Sequence, residues 1–156
     1  MQSKELKYAV HLDKLPNCPP ITYKERYTNA FRWVFNDNIS NSFTPMNLLK
    51  EPPQRMLDDT DLLCKGFGLS FFDTSVHSED RYKALYKRKR RVSHEEFIEE
   101  KGNAIAELTM NGNDGKFGDW NETNGHFTFH EFESINLINN VLSIEDIFDN
   151  NGNFKR

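Results

Sequence analysis

Residues 103–133 constrain the fold more than any other stretch: two candidate strands, 103–110 and 126–133, flank a long polar loop, 111–125. In the first, Ala104, Ala106, Leu108 and Met110 share one face and Ile105, Glu107 and Thr109 the other, the period of two that a strand requires. In the second, Phe127, Phe129, Glu131 and Glu133 alternate with His126, Thr128, His130 and Phe132. Two histidines and two carboxylates within a segment of strong β propensity make this strand the expected centre of any chemistry. Read as a hairpin, the pair organises an antiparallel sheet.

The 156 residues suit one domain, 1–149, followed by a flexible tail, 150–156, and 37% hydrophobic with 13% aromatic residues suffice for a single core. A net charge of -4 and a pI of about 5.7 give no global attraction to nucleic acid or to an anionic membrane. Cys18 and Cys64 are far apart and outside any Cys-x-x-Cys spacing, so a reducing cytoplasmic setting is expected, with Cys64 a buried thiol. No segment reads as a signal peptide or a membrane span, so a soluble protein without a membrane partner is expected.

The remaining elements follow from periodicity and capping. Leu6, Tyr8, Val10 and Leu12 recur at every second position, which predicts a strand over 8–12. Thr22 and Glu25 form a capping box ahead of Tyr23, Tyr27, Ala30, Phe31, Val34 and Phe35, whose spacing predicts an amphipathic helix over 23–35. On that helix Arg32 is solvated and Trp33 lies on the flank, open to a neighbour or partner. Gly66 and Gly68 punctuate an apolar run that predicts a strand over 68–72. Ser78 and Ser93 cap two further helices, and Ile135, Leu137, Ile138, Val141 and Leu142 suggest another from Ser134. The expected fold is α+β, a sheet of about four antiparallel strands packed against the 23–35 helix.

Several constellations are candidates for function. On a strand His126 and His130 stand roughly 13 Å apart, too far to ligate one ion, so no metal site is predicted, although both remain candidate binding residues. Glu131 lies at the border of the core, where desolvation suits a carboxyl to acid or base work, with Glu133 beyond it. Phe117 and Trp120 in the polar loop are candidate anchors for a ligand or partner. Lys87, Arg88, Lys89, Arg90 and Arg91 form a basic run at a helix end, preceded by Tyr82 and Tyr86 and followed by a run of glutamates.

The Glu131-x-Glu133 pair, preceded by Ser70 and an upstream arginine, resembles the Arg, Ser, Glu order of ADP-ribosyltransferases. The resemblance implies that Arg32 or Arg55 with Ser70 holds NAD and that Glu131 stabilises a ribosyl cation. Ser70 is followed by Phe71 and Phe72, where that family continues its Ser-Thr-Ser. The reading placed first is a macromolecular interaction module that presents the 111–125 loop and the 81–91 basic helix to a protein partner, with no cofactor. An NAD-using transferase centred on Glu131 and a nucleic-acid-binding protein are the alternatives.

Overall fold

A computed structural model describes residues 5–89 and 91–156. It contains six strands in one antiparallel sheet: β1 (Thr28–Val34), β2 (Leu69–Phe72), β3 (Ala104–Met110), β4 (Gly115–Phe117), β5 (His126–Glu131) and β6 (Val141–Asp146). Their spatial order is β4-β5-β2-β1-β3-β6. The helices are α1 (Ala9–Leu12), α2 (Ile39–Ser42), α3 (Met46–Leu49), α4 (Gln54–Leu57), α5 (Thr60–Gly66), α6 (Ser75–Lys87) and α7 (His94–Lys101). The α+β class and the antiparallel sheet agree with expectation.

The expected 23–35 helix is instead the central strand β1. Residues four apart share a face in a strand as they do in a helix, so Ala30 with Val34 and Phe31 with Phe35 satisfy both patterns. Thr28, Phe31, Trp33 and Val34 carry high β propensity, and tertiary pairing decides the matter. β1 pairs with β3 through seven registered positions, from Thr28↔Met110 to Val34↔Ala104. The expected 103–133 hairpin does not form either. β3 lies between β1 and β6, whereas β5 pairs with β2 and with β4, a strand hidden within the supposed loop.

Two smaller corrections share one cause, a window too short to separate the periods. Residues 8–12 make a single helical turn, in which Leu12 N–H donates to Tyr8 O at 3.0 Å and Asp13 N–H to Ala9 O at 2.8 Å. The segment expected to be helical from Ser134 becomes a 3-10 turn, Leu137–Asn140, and then β6. The β3–β6 register shifts between Glu107 and Leu108, leaving Leu142 as an unpaired, exposed residue. Val141 and Ile144, three apart, therefore both reach the core, which imitates a helical spacing.

One sheet face carries the main core, with Ala30, Val34, Leu69, Phe71, Ala104, Ala106, Leu108, Met110, Phe117, Phe127 and Phe129 covered by Phe43 and Leu137. The other face packs α6 through Trp33, whose ring stacks on Phe72 at 5.3 Å and meets Tyr82 edge-on at 5.2 Å. Its polar atoms are satisfied: Trp33 Nε1–H donates to Ser78 Oγ at 3.0 Å and Tyr82 O–H to Gly102 O at 2.7 Å. The chain's last residues close over this layer. Phe154 bridges to Phe148 and lies 5.1 Å from the Tyr86 ring, and Arg156 pairs with Glu145 at 2.7 Å.

β1 and β2 share a single registered pair, Phe31↔Phe72. Beyond it the half-buried Arg32, expected to be solvated, spans the divergence. Its Nε donates to Ser42 O and its Nη1 to Ser70 O, both at 2.8 Å. Burial pulls the guanidinium down to about 10, while Glu131 opposes the shift, so it stays charged at neutral pH. Arg32→Met keeps the stem but removes both charged hydrogen bonds, with an expected loss of about 2–4 kcal/mol by denaturant unfolding. Arg32→Lys restores only part, because one ammonium does not reproduce the fork.

Candidate functional site

The divergence of β1 from β2 opens a cleft of about 1240 Å³, bounded by α2, α3, α6 and α7. Trp33 and Phe72 line it with aromatic surface, and Arg32, Ser70, Arg81, Asn124 and His126 add polar groups. Glu95, Glu96, Glu99 and Glu100 of α7 make its far side acidic. Ser93 starts that helix by accepting from Glu96 N–H at 3.1 Å, as its expected role as a cap requires.

The β2–β5 register sets the chemistry. Ser70 lies opposite Thr128 and Phe72 opposite His126, so Ser70 and His126 are diagonal neighbours on the α6 side of the sheet. His126 Nε2 is 3.1 Å from Ser70 Oγ. Its backbone N–H donates to Asn124 Oδ1 at 3.0 Å, and its ring packs edge-on against Phe72 at 5.6 Å. Gly125, at φ 71°, lets the chain enter β5 beside the Asp73–His77 pair; a Cβ there would collide with Asp73 Oδ1 and His77 Nδ1. Asp73 N–H in turn donates to Gly125 O at 3.0 Å, tying the end of β2 to the start of β5.

Burial pushes the His126 pKa below 6.5, and Lys65 and Arg81 push it the same way. The imidazole is thus neutral at pH 7. Protonation opposes the folded state, so this residue's contribution to stability is complete above pH 6.5 and is lost as pH falls through the depressed value.

Of the residues singled out from sequence, Arg32, Ser70, Trp33 and His126 meet at this cleft. Glu131 lies outside its lining. It is 4% exposed, and Lys7 Nζ donates to its Oε2 at 2.8 Å. Burial raises its pKa, opposed by Lys7 and Arg32. Glu133 is exposed, as is Arg55 on α4. Phe117 is fully buried in β4, and Trp120 stacks on Phe127 at 4.3 Å with Arg26 over its ring at 4.4 Å. Lys87, Arg88 and Arg91 are exposed, Lys89 lies over the Tyr86 ring at 4.7 Å, and Arg90 is outside the described residues. His130 is 2% exposed.

The sequence offers Arg81 only as part of the 81–91 basic helix and Asn124 only as part of the 111–125 loop, not as residues of one cleft. No local motif joins them, and Ser70 and His126 are themselves 56 positions apart. Among the described residues no helix is long and apolar enough to cross a membrane. No family model, curated protein or solved structure matches the chain.

The free thiol expected at Cys64 is absent, because Cys64 on α5 is bonded to Cys18. Sequence distance gave no sign of this contact, since the fold alone brings the two together. The bridge closes a loop spanning 46 positions, and its loss is expected to cost about 4 kcal/mol through the freedom returned to the unfolded chain. A non-reducing peptide map should recover the linked peptides, and Cys18→Ser should lower the unfolding midpoint accordingly.

Proposed function

We propose that the cleft is the active site of an enzyme in which Ser70 is the nucleophile and His126 its general base, acting on an acyl group of a small anionic substrate. The observation that carries this reading is the 3.1 Å approach of His126 Nε2 to Ser70 Oγ, with that serine exposed at the cleft. A neutral imidazole accepts the hydroxyl proton as the oxygen attacks the acyl carbon, and then returns it to the leaving group. Arg81 offers a cation for the substrate's anionic group, while Trp33 and Phe72 accept its apolar part. The Asn124 carboxamide oxygen is engaged by His126 N–H, so its amino group remains to donate toward a developing oxyanion.

The NAD-using transferase reading shares Arg32 and Ser70 with this cleft. Glu131 is not among the lining residues and is ion-paired to Lys7, which is the reason the acyl reading is preferred. A second reading, docking of an acidic protein partner, draws on the exposed Lys87, Arg88 and Arg91 at and beyond the C-terminal end of α6. Nucleic acid is the competing occupant there, distinguished by affinity that falls steeply with salt.

A fluorophosphonate probe should modify Ser70, as located by peptide mass mapping. Labelling should vanish in Ser70→Ala and slow by about 100-fold or more in His126→Ala. The rate should decline as pH falls through the depressed His126 pKa, where the imidazole gains its proton. Labelling at another residue, or at Ser70 with no dependence on His126, contradicts the proposal.

A further inference from the structure

The Cys18–Cys64 bridge has a third neighbour that a structural disulfide does not require. Both sulfurs and one ring nitrogen of His130 lie within 4.8 Å of one another. His130 is 2% exposed, and its Nε2 is buried with no hydrogen-bond partner. Core polar atoms are almost always paired, so a buried imidazole nitrogen without a partner in a side chain that also approaches two sulfurs calls for a ligand-bearing state of this cluster. Gly68 admits the ring: a Cβ there would stand 3.1 Å from His130 Cε1 and 2.8 Å from Thr128 Cγ2. The three residues come from separate parts of the chain, the loop before β1, α5 and β5, so the fold itself assembles the set.

We propose that the disulfide and a zinc ion are alternative occupants of one redox-controlled site, in which reduced Cys18 and Cys64 together with His130 form a Cys2His zinc centre. The chemistry balances with a dithiol as the co-reactant. The dithiol gives two electrons to the S–S bond and closes to its own disulfide, while its two protons leave Cys18 and Cys64 as thiols. Zinc then displaces those two protons. Two thiolates and a neutral imidazole make the assembly electrically neutral, which suits a site walled by the buried Cys64 and His130. Ligand bonds of about 2.0–2.3 Å place the three donor atoms roughly 3.5–3.8 Å apart. That spacing falls within their present neighbourhood, and a fourth tetrahedral position is left for water on the side of the partly exposed Cys18. An external disulfide that takes two electrons from the thiolates and two protons from solvent leaves as a dithiol, re-forms the Cys18–Cys64 bridge, removes two of three ligands and expels the ion. Such a pair would hold zinc in a reducing compartment and the bridge in an oxidising one.

The test uses the full chain, oxidised and reduced, equilibrated anaerobically with zinc, with bound metal measured after dialysis. The reduced chain should retain one zinc ion and gain melting temperature with added zinc, and the oxidised chain should do neither. Cobalt in place of zinc should give a thiolate-to-metal charge-transfer band. Cys18→Ser and His130→Gln should each weaken binding by about 10- to 100-fold or more. If the reduced chain is unfolded without metal, zinc should refold it, so the melting readout serves in either case. Failure of the reduced chain to retain zinc or to gain stability overturns the proposal. So does undiminished binding in both variants, which would assign the ion to surface groups.

Discussion

β1 is pinned to β3 along its whole length yet meets β2 at one registered pair, and the gap is spanned by the Arg32 guanidinium rather than by a backbone ladder. Most of the molecule's character follows from that. A ladder continued past Phe31↔Phe72 would draw the strands together, whereas the guanidinium ties Ser70 to Ser42 and leaves room for a cleft. The aromatic layer of Trp33, Phe72 and Tyr82 stiffens one side of the gap, and α7 stands off on the other. The cleft thus comes with the way the sheet is held.

β5 is the second organising strand, and its two faces meet different surroundings. Its α6-side residues place His126 against Ser70 at one end and His130 beside the cysteine pair at the other. Its opposite face sends Phe127 and Phe129 into the core and Glu131 to Lys7. The two histidines stand too far apart along the strand to act together. Each meets residues supplied by other elements.

Legibility in the sequence followed the range of the interactions involved. β3, β5 and β2 were readable because their alternation is long or bounded by glycine, and α7 because its cap is local. β1 reads as a helix in the sequence because a separation of four fits both periods, and β4 and β6 are hidden within a polar loop and behind a bulge. Arg32, Ser70, Trp33 and His126 were each noticed, but nothing in the sequence put them in one cleft. That needed the β2–β5 register and the parting of β1 from β2. The disulfide is the extreme case, a covalent contact across 46 positions with no local trace.

Attack by Ser70 depends on which nitrogen of His126 carries the proton, since only an unprotonated Nε2 can accept one from Ser70. Nitrogen-15 NMR of the imidazole as a function of pH decides this directly. The prediction is the Nδ1–H tautomer at pH 7, with Nε2 shifted as an acceptor and a pKa below 6.5. An Nε2–H tautomer donating to Ser70 Oγ, or a ring already protonated at pH 7, would make the pair structural and contradict the proposed nucleophile.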